Sequence, residues 1–478
     1  PLEFLVRPMW DQPTSQRAII IAGCLGMAYT QLTMSPATIE FARAHGADGL
    51  HIGILGALPT ATLFMQFVAA VLVNHLRYRR TVWLTVSIFQ RLAYVPVALG
   101  AWLVKDASDA AWVWALIAAT ALNHALLHFC TPLWMSWMGD YLPREGLNRF
   151  WGRRHLWMQW TAALSLLAAA LLLLKGGWSI TPAFAVLTAI GAAFGVADIL
   201  LFWKVDEPAV QPLPQPTLRR VFSAPFNDQR FRSFISYACF WHFAAMVGAP
   251  FISLYLLEVV GLSLGSVLLM WAGSWVGGAA LSRSLGGIVE QFGHRPMLVL
   301  CTAFKATNMI ALLVVPPRPE LALIVLTPVF MIDALLNAGI AIASNGFLLK
   351  NSPQENRTMF IAAGTALAGM VGGVTAVGAG AVLRGLSTWS VTWAGWTFAG
   401  FHVLFASSLV LRLVSIGLAL RVHEPDASST RHVARQLIGV TPLRLLSFPL
   451  GLYRGRQEPE DGTGIDLDQE PQPEAEAA

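Results

Sequence analysis

Asp333 and Asn337 stand four residues apart inside one long apolar stretch, and His124 and His128 stand four apart inside another. On a helix that spacing puts each pair on one face, a turn apart. A carboxylate so placed is able to carry a proton, hold a cation or pair with a base. Lys305 and Arg283, in two further apolar stretches, are the candidate bases. Two histidines in this arrangement bind a ligand or relay protons, because imidazole titrates near neutral pH. They fall short of a metal site, which takes three or four ligands, so neither a metal nor a cofactor is expected. Tyr29, Gln31, Asn123 and His242 add hydrogen-bonding groups within apolar runs. The chemistry on offer is proton movement and polar recognition. No nucleophile, base and oxyanion-stabilising set is recognisable, which argues against an enzyme.

The elements that position these groups are long and apolar. The chain has 478 residues, of which 55% are hydrophobic and 12% charged, and its mean hydropathy is +0.58. A soluble protein carries about 25% charged residues, so a water-soluble surface is excluded and a lipid bilayer is the expected surrounding. Apolar runs of about 20 residues, the length that crosses a bilayer as a helix, recur along the chain. Twelve spans are expected, near residues 17–38, 50–74, 81–104, 110–138, 155–175, 183–204, 232–257, 265–290, 296–316, 320–347, 358–384 and 395–421. The first continues for a full span from Ala18, so it is expected to remain as a helix and not to be cleaved. The four cysteines all lie inside apolar runs without CxxC spacing and read as small core residues.

Residues 205–231 break the rhythm with five prolines and several charges. The expected organisation is a cytoplasmic N-terminus (1–16), a six-helix half (17–204), a cytoplasmic linker (205–231), a second six-helix half (232–421) and a cytoplasmic tail (422–478). The end of the tail is acidic and is expected to be solvated and disordered. Lys and Arg concentrate in alternate loops, around Arg77–Arg80, Arg144–Arg154, Lys204–Arg230, Arg295 and Lys350–Arg357. By the positive-inside rule those loops and both termini are cytoplasmic. The same rule accounts for the net charge of +5 without nucleic-acid binding. Arg91, mid-span, has no partner visible in sequence, and Asp198 and Arg412 are expected to reach the interface by snorkelling.

The short loop between the eighth and ninth spans reads GGIVEQFGHRP, residues 286–296, and its counterpart between the second and third reads AVLVNHLRYRRTVWL, residues 70–84. Each is a small residue, three apolar residues, polar residues and then Arg. A second pair of loops, residues 134–154 and 345–362, shares Pro, an acid and then Asn-Arg opening the next helix. The loop pattern resembles the G-x-x-x-D-R-x-G-x-R signature of the major facilitator superfamily, with Glu290 for the acid in the second copy and Asn74 in its place in the first. The second pair of loops resembles those of uncharacterised bacterial permeases of that superfamily.

The resemblance implies an all-α integral membrane fold of twelve helices in two halves. It also implies a multi-pass, monomeric transporter of the bacterial inner membrane that works by alternating access. Spans one, four, seven and ten then line a central cavity, which places Tyr29, Gln31, Asn123, His124, His128, His242, Asp333 and Asn337 on a pathway for substrate and protons. The expected cytoplasmic gate comprises Asn74, Arg79, Arg80, Asp140, Arg149, Arg153, Gly286, Glu290, Gly293, Arg295 and Arg357. The expected activity is proton-coupled transport of a small solute, a sugar or another metabolite. The alternatives are an efflux pump of the same fold, against which the missing Gly-Pro motif of span five leans, and a non-transporting sensor or assembly protein.

Overall fold

The computed structural model describes residues 14–34, 36–73, 78–104, 108–142, 147–208, 229–316, 318–351, 357–393, 396–425 and 427–438. Asn74 and the whole acidic end of the tail lie outside them, as do the surroundings of Gly286 and the side chains of Arg149, Arg283, Glu290 and Arg357.

The N-terminal half runs α1 (Thr14–Thr33), α2 (Pro36–Ala44), α3 (Gly49–Ala61), α4 (Met65–Val73), α5 (Arg80–Leu92), α6 (Val95–Leu103), α7 (Asp109–Tyr141), α8 (Leu147–Gly176) and α9 (Ile180–Leu201). The C-terminal half runs α10 (Gln229–Met246), α11 (Ile252–Glu258), α12 (Leu264–Phe292), α13 (His294–Phe304), α14 (Ala306–Val314), α15 (Pro319–Asn351) and α16 (Arg357–Gly385). It ends with β1 (Ser390–Trp393), β2 (Trp396–Ala399), α17 (Gly400–Leu420) and α18 (Thr430–Ile438). Several of these are segments of one rod, so Thr14–Ala44, Arg80–Leu103 and His294–Val314 each have the length of a single crossing. Among the described residues, ten helices are long and apolar enough to cross a membrane, and two shorter apolar helices, Gly49–Phe64 and Leu264–Ala279, stand where the second and eighth spans are expected.

Local chemistry sets the ends. Asp48 caps α3 in a reciprocal box with His51, and the hydroxyls of Ser108 and Ser263 accept from the third residue onward to start α7 and α12. Gly293 joins α12 to α13 at φ 92°, a backbone angle that L-residues with a Cβ rarely adopt. One expected boundary is corrected. Residues 396–399 form the second strand of an antiparallel hairpin in which Ser390 pairs with Ala399 and Trp393 with Trp396. Alternating β-branched and aromatic residues favour a strand there, and the twelfth span begins at Gly400.

Packing divides the molecule along its length. One buried cluster takes residues from both halves, such as Phe41, Leu116 and Phe184 with Phe251, Tyr255 and Phe405. At that same end α3 meets α16 with almost no gap, since a Cβ on Gly53 would lie 2.5 Å from the Ala376 carbonyl oxygen. Arg384 also pairs across the halves with Asp48 at 2.9 Å. The two other clusters lie towards the opposite end and are private to one half each. One holds Trp83, Cys130, Trp137 and Phe202, the other Phe231, Trp241, Phe292 and Phe347. The halves are therefore joined at the end of the loops near residues 45–48 and 386–389. At the end that carries Val205–Pro208 and α18, each half packs on itself.

Candidate functional site

The C-terminal half holds an intramembrane charge cluster beside a cavity. Lys305 sits at the joint between α13 and α14, and its Nζ lies 2.6 Å from Oδ1 of Asp333 on α15. Asn337, one turn along α15, donates to Asp333 Oδ2 at 3.4 Å. From α17, Arg412 donates Nη1 to the Lys305 carbonyl at 3.0 Å and to Asn308 Oδ1 at 2.8 Å, and Nε to Ser408 at 3.2 Å. The joint at Lys305 offers Arg412 a carbonyl to hold. The guanidinium also faces the Trp241 ring at 5.6 Å. Lys305 is 4% and Arg412 1% exposed. A cavity of about 280 Å³ opens here, lined by Trp241, His242, Trp271, Lys305, Asp333 and Arg412 among others. That is near the lower limit of small-molecule pockets, about 300 Å³.

The N-terminal half holds a second cluster. Arg91 on α5 pairs with Asp198 on α9 at 2.6 Å and lies 4.5 Å over the ring of Tyr29. The Tyr29 hydroxyl donates to the Gln90 carbonyl at 3.2 Å. Asn123 donates to that hydroxyl and, at 2.9 Å, to the same carbonyl. Arg91, whose partner is not visible in sequence, pairs with Asp198 of another helix. One expectation changes: Asp198 and Arg412 do not snorkel, since both are buried, Asp198 in an ion pair and Arg412 with hydrogen bonds to neutral oxygens.

Of the expected pathway residues, the structure brings His242, Asp333 and Asn337 to one cavity. Tyr29 and Asn123 are fully buried between helices of their own half, so they act on packing and not as cavity surface. The Gln31 amide turns back to the Met27 sulfur at 3.5 Å. The His124 and His128 rings stack at 6.3 Å, and His128 Nε2 lies 2.7 Å from the Pro59 carbonyl oxygen. Among the described residues no group of three or more His, Cys, Asp or Glu comes together.

At the unjoined end, Arg79 is fully buried. It bonds Asp140 at 2.8 Å, the Ser136 hydroxyl and the Pro208 carbonyl. Glu207 accepts from the backbone amides of Arg79 and Arg80, and so caps α5. The C-terminal half repeats the device. Glu424 accepts from the amides of His294 at 2.9 Å and Arg295 at 2.7 Å, and its other oxygen lies 2.6 Å from the His294 ring. A carboxylate at a helix N-terminus satisfies orphan amides and complements the helix dipole. Burial pushes the Glu424 carboxyl up, but the hydrogen bonds from His294 and Arg295 outweigh it and hold it below its ordinary value. These two glutamates escaped the motif reading. Their signal is a repeated V-x-E-P, Val205–Pro208 and Val422–Pro425.

The profile of the Major Facilitator Superfamily matches residues 19–377. No curated protein sequence matches. Among solved structures, a variant of the nucleoside transporter NupG is similar at 12% identity and TM-score 0.66, over 86% of this chain and 100% of that one. A bacterial homologue of the human lysosomal transporter Spinster, inward-facing and unoccupied, gives 14% and 0.61 over 88% and 99%. The xylose transporter XylE from E. coli, inward-open, gives 13% and 0.60 over 88% and 98%. At these identities the likeness is one of fold.

Proposed function

The chain belongs to the Major Facilitator Superfamily, and from that premise we propose that it is a proton-coupled carrier of a small solute whose binding site is the cavity around Lys305, Asp333 and Arg412. The observation that carries this reading is a partly buried carboxylate, ion-paired to a buried lysine, that also lines a cavity in a multi-pass membrane protein whose halves are joined towards one end. An intramembrane ionisable group is costly and marks a transport pathway. When Asp333 takes a proton, Lys305 loses its counterion, so protonation and the polarity of the cavity are linked. Alternating access then requires the joined end, through α3 and α16, to part as the other end closes.

With the basic loops inside, the unjoined end and both termini are proposed to face the cytoplasm, across a bacterial inner membrane, and the present arrangement is then inward-facing. The gate at that end is proposed to involve Arg79, Arg80 and Asp140 of the N-terminal half with Gly293 and Arg295 of the other. By their loops in the sequence, Arg149, Arg153, Gly286, Glu290, Arg357 and Asn74 are proposed to serve the same gate. A sugar or another small metabolite is the substrate class, and a monomer suffices.

The test is accumulation in proteoliposomes under an imposed pH gradient, with a panel of labelled metabolites and a pH-sensitive dye trapped inside. Solute-dependent proton entry in the wild type, lost in Asp333→Asn, is the expected result. Accumulation of a solute with no proton movement would show that Asp333 does not couple.

A further inference from the structure

We infer that the cavity takes a small organic anion, a flat molecule bearing one carboxylate. The inference rests on the transporter reading above and names its substrate class. It follows from a charge count and a count of donors.

Among the described residues that line the cavity, Lys305 and Arg412 are cations and Asp333 is the one carboxylate. Asp333 is taken by Lys305 at 2.6 Å. The hydrogen bonds of Arg412 go to three neutral oxygens, those of Lys305, Asn308 and Ser408, and no carboxylate lies within ion-pair distance of it among the described residues. A 1% exposed guanidinium therefore carries a charge that no side chain neutralises directly. Burying such a charge is unfavourable unless a counterion comes to it, and a ligand carboxylate supplies one with the planar geometry that guanidinium matches.

The other free groups at the cavity agree. Trp271 lines it, and its buried indole N–H has no hydrogen-bond partner. Indole nitrogen only donates, so it calls for an acceptor on the ligand. Trp241, Trp271 and Phe330 give aromatic faces to the same space, with the Trp271 and Phe330 rings 6.0 Å apart at 32°. Those two rings already touch, so together with Trp241 they form one aromatic wall, and a flat body lies against it. His242 is the remaining titratable group on the lining. Its Nδ1 lies 2.9 Å from the Ala238 carbonyl oxygen, and protonation would only add to the surplus. A neutral sugar leaves the Arg412 charge unanswered, and a cationic substrate meets two cations for one occupied carboxylate.

The experiment is thermal unfolding of the purified protein with matched probes: benzoate and phenylacetate, their amides, benzylamine, and a neutral monosaccharide. The carboxylates are expected to raise the unfolding temperature and the amides and amine to leave it unchanged. Arg412→Gln should weaken the benzoate response about tenfold or more, whereas Arg412→Lys, which keeps the charge, should retain most of it. Asp333→Asn should keep or strengthen the response, since it removes the one negative charge. Trp271→Phe, which keeps the ring and drops the N–H, should weaken it. If Arg412→Gln does not fold, Asp333→Asn and Trp271→Phe still decide.

Equal stabilisation by carboxylates and amides would overturn the inference. So would a benzylamine response that Asp333→Asn abolishes, or no response to either carboxylate. Stabilisation by the monosaccharide alone removes the anion class and leaves the carrier intact, whereas absence of any proton-linked flux strikes at the carrier itself.

Discussion

The two halves place ionic groups at corresponding positions and use them differently. In the N-terminal half the third span supplies Arg91 and the sixth supplies the acid, Asp198. In the C-terminal half the ninth span supplies Lys305, but the twelfth supplies a second cation, Arg412, and the acid has moved to Asp333 on the tenth. With the acid on the sixth span, the pair is packed between helices, with Arg91 over the ring of Tyr29. With the acid on the tenth, the pair borders a cavity and a cation is left over. The position of one carboxylate thus separates an ion pair packed between helices from one that borders a cavity, the site proposed to exchange protons and hold a ligand.

The largest effect should come from breaking the packed pair. Asp198→Ala leaves Arg91 buried without its counterion, a loss of about 3–5 kcal/mol, and should remove most folded protein, as read by size-exclusion of the detergent-solubilised membrane fraction. Asp333→Asn at the open pair should leave a folded protein and abolish gradient-driven accumulation. Equal losses of folded protein in the two variants would erase the distinction between the halves.

An intermediate effect is expected at the joined end. Gly53→Val forces a side chain against the Ala376 carbonyl oxygen, and overpacking of this kind costs about 1–3 kcal/mol. That should shift the population towards the state opened there, seen as a longer spin-label distance between the ends of α3 and α16. An unchanged distance would mean that the contact does not hold the halves together.

A smaller effect separates the twin caps. Glu424→Gln removes a charged acceptor from two amides and a ring, a loss of about 1–3 kcal/mol. The Glu424 carboxyl is held below its ordinary value of 4.5. Its contribution is therefore complete above that pH and disappears as pH falls through the lower, folded-state value. Unfolding temperatures of wild type and Glu424→Gln should converge on acidification below about pH 4. The smallest change is Asp48→Asn. The Asp48–Arg384 pair is partly exposed, so its loss is expected to be within about 1 kcal/mol. A large shift of the joined end in this variant would give the ion pair a share that the glycine contact is assigned here.

Much of this organisation was legible in the chain. Hydropathy alone marks the spans, because a helix is the structure that satisfies every backbone polar group in lipid. Asp333, Lys305 and His242 stood out for the same reason, as ionisable residues where the cost of charge is high. Gly293 announced its turn, and the φ of 92° follows. Less visible were the glutamates that cap α5 and α13. Each lies about 130 residues from the amides it holds, and only the V-x-E-P repeat hints that the two are equivalent.

By itself the sequence determined what must be buried in lipid, roughly which stretches become helices, and which charged groups would have to be accommodated at depth. Tertiary structure decided the partners. Arg91 meets Asp198 across 107 positions of chain, and Lys305 meets Asp333 across 28. It also decided which of those pairs opens onto a cavity. Hydrophobicity and helix period act on neighbouring residues, so they can be read locally. Charge pairing depends on which faces of distant helices come together, and that is fixed only when the helices of each half have packed.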